Sequence, residues 1–210
     1  MANVIIKELN NFTKIAWAEI DESISPKESD VWYAAIKNIH HPDKLRQFYG
    51  GRNLLKSLVG IPESNVCYDV YGAPYIEHHE SVEVSLSHSF DMVAAAKSNQ
   101  AIGVDIQKST PKLLNISRRF MNEYELRAAQ MTNTLLYAQW CWSAKEAIFK
   151  AYKKGGIDFK HHIFPNIDPT QIDLPNFETV GTLITADQEY TCQLNYFKYS
   201  DYVVVSAILL

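Results

Sequence analysis

The sequence predicts an α+β fold of two similar halves in one chain, residues 1–103 and 104–210, each a small antiparallel sheet packed on a long helix. Two apolar runs at helical spacing, and a set of short alternating segments in each half, carry that expectation. A length of 210 residues with 47% apolar and 21% charged residues supplies core for one large domain or two small ones. Sequence identity between the halves is too faint to show a repeat, so their likeness rests on the order of elements.

Taken in order, residues 4–20 read as one or two strands with a turn at Asn10-Asn11, and residues 26–29 read as a loop leading into helix. Over residues 43–59, Leu45, Phe48, Tyr49, Leu54, Leu55, Leu58 and Val59 recur with helical period, and Gly60 with Pro62 forms the stop. Residues 66–76 are extended chain broken at Tyr71-Gly72-Ala73-Pro74. Val82, Val84 and Leu86 alternate with Glu83, Ser85 and Ser87, which predicts a half-buried strand ending at His88-Ser89. Strands over 92–97 and 101–106 follow across the turn Ser98-Asn99-Gln100, so three neighbouring strands are expected in one antiparallel sheet. Residues 135–152 form the second long helix, ended by Gly155-Gly156. Within it Ser143 and Glu146 also fit a capping box. Strands near 179–185, 190–196 and 202–210 complete the chain.

Composition narrows the function classes. A formal net charge of -4 argues against general nucleic-acid binding, which needs a basic field to displace phosphate counterions. Any anionic ligand must therefore find a local basic patch. Cys67, Cys141 and Cys192 are scattered, odd in number and without metal-ligand spacing, so they read as small buried hydrophobes in a reducing compartment. No apolar run reaches bilayer-spanning length and residues 1–12 lack a signal-like apolar region. A cytoplasmic protein with no membrane partner is the expectation.

In residues 101–107 a period of two sets Ile102, Val104 and Ile106 on one face and Gly103, Asp105 and Gln107 on the other. An acid at a strand end is by itself more often a turn or cap residue than a ligand. On the second long helix Trp142, Glu146 and Lys150 share a face, with Lys145 and Phe149 on the neighbouring stripe. The plain account is a surface Glu146–Lys150 pair worth roughly 0.2–0.5 kcal/mol. A strand acid and a helix acid that converge would instead suit Mg2+, which takes one or two carboxylates and completes its shell with waters and phosphate oxygens. The lysines would then neutralise phosphates. His40-His41, His78-His79 and His161-His162 lack zinc spacing and read as loop residues. Trp140 and Trp142 read as core and cleft wall.

The ordered strings Val84-Ser85-Leu86-Ser87-His88-Ser89, Gly103-Val104-Asp105-Ile106-Gln107 and Trp142-Ser143-Ala144-Lys145-Glu146-Ala147-Ile148-Phe149-Lys150 resemble the signature of the 4′-phosphopantetheinyl transferases. Gly50-Gly51-Arg52-Asn53-Leu54-Leu55 and Tyr71-Gly72-Ala73-Pro74 resemble the family's N-terminal blocks, so the resemblance spans about residues 43–160. The length is similar to the larger, two-halved, surfactin-synthetase-activating type, in which the site lies in the cleft between halves. The resemblance implies transfer of 4′-phosphopantetheine from coenzyme A to a serine of an apo acyl, aryl or peptidyl carrier protein. Mg2+ is the implied cofactor, with Mn2+ as an alternative ion.

Residue by residue, the resemblance makes Asp105 and Glu146 metal ligands and gives Lys150 the phosphates. Gln107 stands where many relatives have a second acid and offers a neutral oxygen or holds a water. Arg52 and His88 would hold the nucleotide and its phosphates, Ser87 would be a nearby polar contact, and Lys145 would assist. Glu125, in Arg119-Phe120-Met121-Asn122-Glu123-Tyr124-Glu125-Leu126, matches a glutamate that takes the proton of the carrier serine; a shifted alignment gives that part to Glu123. Ala73 stands where relatives often have a lysine, a contact that Lys44 or Lys56 would replace. The carrier is expected to dock by a helix near Met121. A chain holding both halves is expected to act as a monomer. Gln107 and Ala73 also keep open a catalytically weak homologue that binds coenzyme A or a carrier without transfer, and the same ligands acting on water would make a phosphohydrolase.

Overall fold

The computed structural model describes residues 3–20, 39–60 and 66–210. The expected loop at residues 26–29 and Pro62 lie outside the described residues. The chain divides between Asn99 and Gln100 into two compact units, each built on an antiparallel sheet, and the fold class is α+β.

The first unit contains β1 (Ile5–Glu8), β2 (Lys14–Glu19), α1 (Pro42–Val59), β3 (Val66–Tyr68), β4 (Pro74–Ile76), β5 (Glu83–Ser89) and β6 (Met92–Ser98). Its sheet runs in the order β1-β2-β6-β5-β4-β3. Local polar chemistry sets its turns. The Asn10 side-chain oxygen accepts the N–H groups of Phe12 and Thr13 at 2.9 and 2.8 Å, closing the β1–β2 hairpin. Asp69 does the same for Tyr71 and Ala73 at 2.8 Å each, and Gly72 at φ 82° supplies the left-handed residue between β3 and β4. Helix α1 starts at His41, whose side chain accepts the Asp43 N–H, and stops at left-handed Gly60, whose N–H bonds the Lys56 carbonyl. Its Leu54, Leu55 and Leu58 pack on Ala16, Ala18, Val84, Val93 and Ala95.

The second unit contains β7 (Ile102–Lys108), α2 (Lys112–Phe120), α3 (Glu123–Gln130), α4 (Thr134–Tyr152), α5 (Phe159–His162), β8 (Ile163–Phe164), β9 (Asn176–Ile184), β10 (Glu189–Tyr199) and β11 (Tyr202–Leu209). Its sheet order is β7-β11-β10-β9-β8. Helix α4 lays Trp140, Cys141, Ala144, Ala147, Ile148 and Ala151 into a core with Leu194, Tyr196, Val203, Val205 and Ala207. Trp140 stands edge-on to Phe177 and Tyr196, and its indole N–H donates to the Ile172 carbonyl at 3.1 Å, so the largest buried ring has no unpaired polar atom.

Four local expectations change. Strand β7 does not join β5 and β6, because β2 and β5 fill both edges of β6; it pairs with β11, Asp105 opposite Val205. The turn at residues 98–100 thus passes from one sheet to the other. Strand β5 is not half-buried: Ser85, Ser87 and Ser89 are buried alongside Val84 in a strand paired on both sides. Helix α4 ends before Gly155-Gly156, at Lys153 with φ 58° and its N–H on the Phe149 carbonyl. Ser143 and Glu146 lie mid-helix in α4, which Asn133 caps, whereas the capping box is formed at the start of α3 by Asn122 and Glu125.

One contact governs how β7 meets α4. A Cβ added at Gly103 would stand 1.9 Å from the Ala147 carbonyl oxygen and 2.7 Å from the Ala151 nitrogen. Both atoms are backbone, so no side-chain rotation relieves the clash. Gly103→Ala is expected to cost about 3 kcal/mol by overpacking, which lowers the thermal midpoint by about 6–12 °C. An unchanged midpoint in calorimetry would remove this account of the contact.

Candidate active site

With β7 pressed on α4, Asp105 reaches a helix face formed by Ser143, Glu146 and Lys150, at i, i+3 and i+7. Asp105 is 5% exposed, and each of its carboxylate oxygens has a donor. Ser143 Oγ donates to Oδ2 at 2.9 Å and Lys150 Nζ to Oδ1 at 2.8 Å, while the same ammonium also donates to the Val104 carbonyl at 3.1 Å. Glu146 lies half-buried between these two helix positions and accepts no hydrogen bond among the described residues. Burial pushes its carboxyl above the usual range, Lys150 pulls it back, and the neighbouring charge of Asp105 pushes it up again. The plain Glu146–Lys150 surface pair therefore gives way to a cluster in which Lys150 is bonded to the strand acid.

Gln107 is tied to its own strand. Its side-chain nitrogen donates to the Lys108 carbonyl at 2.9 Å, and Gln139 Nε2 holds the Gln107 carbonyl at 2.7 Å and that of Asp201 at 3.2 Å. This leaves the side-chain oxygen as the atom Gln107 has to offer. Two carboxylates and an amide oxygen make a hard donor set that fits Mg2+, with water and phosphate oxygens completing the shell. Among the described residues no three His, Cys, Asp or Glu side chains form a group able to hold a metal, so a closed all-protein cage is not the fit here. His41 caps α1 and His162 Nδ1 accepts the Asp158 N–H at 3.0 Å, so these two members of the histidine pairs serve local structure.

In the first unit Arg52, Ser87 and His88 line one cavity of about 450 Å3 together with Lys44, Gln47, Phe48 and Tyr68. Helix α1 supplies Lys44, Gln47, Phe48 and Arg52 from a single face, and β5 supplies Ser87 and His88. The Arg52 guanidinium lies 3.2 Å over the Phe48 ring centroid and 4.9 Å from that of Tyr68, and it donates to the Phe48 carbonyl and the Tyr68 hydroxyl. Burial of Tyr68 pushes its hydroxyl pKa up, against the pull of Arg52. Of the two lysines expected to compensate for Ala73, Lys44 lines this cavity; Lys56 sits in the last turn of α1 and does not.

Two expected site residues have other work. Lys145 is fully buried, and its ammonium donates to the Phe159 carbonyl at 2.8 Å, the Ile163 carbonyl at 2.9 Å and Glu125 Oε2 at 2.9 Å. All three of its N–H donors are used, which leaves none for a ligand phosphate. The same Glu125 oxygen accepts the Asn122 N–H at 2.8 Å. Burial pushes the Glu125 carboxyl up, while Lys145 and the Asn122 N–H pull it down. Glu125 thus joins the start of α3 to α4 and, through Lys145, to α5 and β8. Its neighbour Glu123 is exposed, and both glutamates line a cavity of about 550 Å3 with Tyr124, Lys160 and His161.

A third cavity, about 360 Å3, is walled by Ile116, Phe120, Trp142 and Phe159 and carries Arg119 and Glu146. Trp142 stands edge-on to Phe120 with centroids 5.1 Å apart. Sequence reasoning missed the aromatic cradle of Arg52 and the bond from Ser143 to Asp105. Phe48 and Arg52 at i, i+4, and Ser143 seven residues before Lys150, were the signals that carried them.

Strand and helix carboxylates meet within one α+β unit, and comparison with known proteins places the chain among the transferases. Residues 101–205, half of the chain and the part that holds Asp105, Glu146 and Lys150, match the family model described as the 4′-phosphopantetheinyl transferase superfamily, and the chain belongs to that family. It is 28% identical over 160 residues to a 4′-phosphopantetheinyl transferase of Bacillus subtilis and, to the same extent, to 4′-phosphopantetheinyl transferase Sfp of Bacillus subtilis strain 168; each match covers 68% of this chain and 71% of the relative. It is 24% identical over 160 residues to 4′-phosphopantetheinyl transferase gsp of Aneurinibacillus migulanus, covering 72% of this chain and 65% of the relative. These relatives place it with the larger type of the family. Among the described residues no helix is long and apolar enough to cross a membrane.

The two lysines of the α4 motif are expected to fail differently. Lys145→Met leaves the buried Glu125 without its cation and costs about 3–5 kcal/mol, whereas Lys150→Met, at a partly exposed position, costs clearly less. Urea midpoints measured side by side check this, and equal losses would overturn the division of roles.

Proposed function

We propose that the chain transfers 4′-phosphopantetheine from coenzyme A to a serine of an apo carrier protein, with Mg2+ as cofactor. The observation that carries this reading is the cluster of Asp105, Glu146 and Lys150, two carboxylates and an ammonium at one place on β7 and α4. The relatives, themselves 4′-phosphopantetheinyl transferases by name, support the transferred group.

Asp105 and Glu146 would hold the ion, with Gln107 contributing its oxygen directly or through a water. The bound ion supplies positive charge to the coenzyme A pyrophosphate. Lys150 offers its ammonium to the same phosphates, and its attraction strengthens as negative charge grows on the departing adenosine bisphosphate. Arg52, Ser87, His88 and Lys44 would hold the nucleotide and its phosphates, the guanidinium pre-oriented by its aromatic cradle. The carrier serine oxygen attacks phosphorus as its proton passes to a carboxylate of α3. Glu125 was the expected base; Glu123 is the more open candidate, because one Glu125 oxygen is committed to Asn122 and Lys145.

The test is a panel of apo acyl, aryl and peptidyl carriers incubated with Mg2+ and coenzyme A, each carrier then weighed by mass spectrometry. A phosphopantetheine adduct on at least one carrier is the expected result. Asp105→Ala, Glu146→Ala and chelation of the metal should each abolish it, with Gln107→Ala reducing it modestly. Coenzyme A binding with no adduct across the panel would turn the reading toward a silent homologue, and cleavage of coenzyme A without any carrier toward a phosphohydrolase.

Steady-state kinetics separate the remaining roles. Arg52→Ala and His88→Ala should raise the KM for coenzyme A more than they lower kcat. Glu123→Gln should lower kcat with that KM unchanged, and Glu125→Gln should lower the thermal midpoint. The opposite assignment of the two glutamates would restore Glu125 as the base.

A further inference from the structure

We propose that Ser143 is a positioning residue that fixes the orientation of the Asp105 carboxylate for cation binding; this rests on the proposed reading of Asp105 as a metal ligand. Ser143 lies at the centre of α4, where an ordinary serine competes with the helix backbone. Its hydroxyl instead leaves the helix and donates to Asp105 Oδ2 at 2.9 Å. The residue is fully buried, away from bulk solvent, and Asp105 is nearly as enclosed. A hydroxyl with no partner at such a place would carry the uncompensated cost of its desolvation, and this one is satisfied by the carboxylate.

The geometry explains what the bond does. Lys150 holds Oδ1 from one turn-pair further along the helix, and Ser143 holds Oδ2 from the other side of Glu146. Two donors on two oxygens fix the plane of the carboxylate about its terminal torsion, which is otherwise broad. A carboxylate has about four lone-pair sites, so a donor on each oxygen is compatible with a cation on the same group. Lys150 is partly exposed and divides its ammonium among Asp105, the Val104 carbonyl and, in the proposed function, substrate phosphate. Ser143 has no other hydrogen-bond partner among the described residues, and its donor on Oδ2 is separate from that of Lys150 on Oδ1. Donors behind a ligating side chain typically govern metal affinity by tenfold or more when removed.

The experiment is Mn2+ titration of the full chain in the presence of coenzyme A, followed by the electron paramagnetic resonance signal of free Mn2+. Wild type, Ser143→Ala, Ser143→Thr and Asp105→Ala are compared, with a thermal midpoint for each. Ser143→Ala is expected to bind Mn2+ about tenfold more weakly and to need correspondingly more Mg2+ for half-maximal transfer, with the KM for coenzyme A unchanged. Ser143→Thr keeps the hydroxyl and is expected to stay near wild type in affinity. Wild-type affinity in Ser143→Ala, with or without a lowered midpoint, overturns the proposal while Asp105→Ala still loses the ion. Wild-type affinity in Asp105→Ala overturns the metal reading itself, and the role of Ser143 with it. Should Ser143→Ala fail to fold, Ser143→Thr decides: weak binding in that variant, with its hydroxyl kept and its midpoint normal, counts against the proposal.

Discussion

The backbone of β7 touches the backbone of α4 at Gly103, where the Ala147 carbonyl occupies the space a side chain would need. Strand and helix cannot come this close unless the strand presents no side chain and the helix nothing larger than a methyl group, and Ala144, Ala147 and Ala151 meet that demand from the helix side. The short spacing lets Asp105, a side chain of only two carbons, reach across to the hydroxyl and the ammonium on α4. Longer spacing would leave it as a buried acid without donors, a state that costs far more than any local bond returns. Packing and chemistry at this point are therefore one constraint.

Around that contact the second unit arranges two cationic groups in opposite ways. Lys150 keeps a quarter of its side chain exposed, and its ammonium rests on an acid and a carbonyl. Lys145, five residues earlier on the same helix, is sealed among three acceptors. The difference follows from helix geometry: five residues turn the side chain through well over a full circle, so the two lysines look toward different neighbours. One faces the edge of β7, the other the segment that carries α5 and β8.

Much of this was legible from residues alone. Helical period, the turn signals at Asn10-Asn11 and Tyr71-Gly72-Ala73-Pro74, and the glycine after α1 are local signals with local causes, and they located most elements correctly. The likeness of three ordered strings to a known family singled out Asp105, Glu146 and Lys150 before any geometry was visible. What stayed hidden depends on partners distant in sequence. A period of two gives a strand two faces but does not name the strand beside it, so β7 was assigned to the sheet of β6 when β11, nearly a hundred residues later, is its neighbour. Ser143 looked like a cap because its acceptor lies 38 positions away. Lys145 was expected to assist at the ligand because nothing near it in sequence announces the carbonyls of Phe159 and Ile163.

The tripod of acceptors around Lys145 also restricts which residue can live there. A primary ammonium points three N–H groups from one atom, whereas a guanidinium spreads its donors across a flat fork, so arginine preserves the charge but not the fit. Methionine preserves the length but orphans an acid and two carbonyls. Lysine at this position is therefore a demand of the architecture, and it stands one residue before Glu146, the acid that the proposed function assigns to the metal.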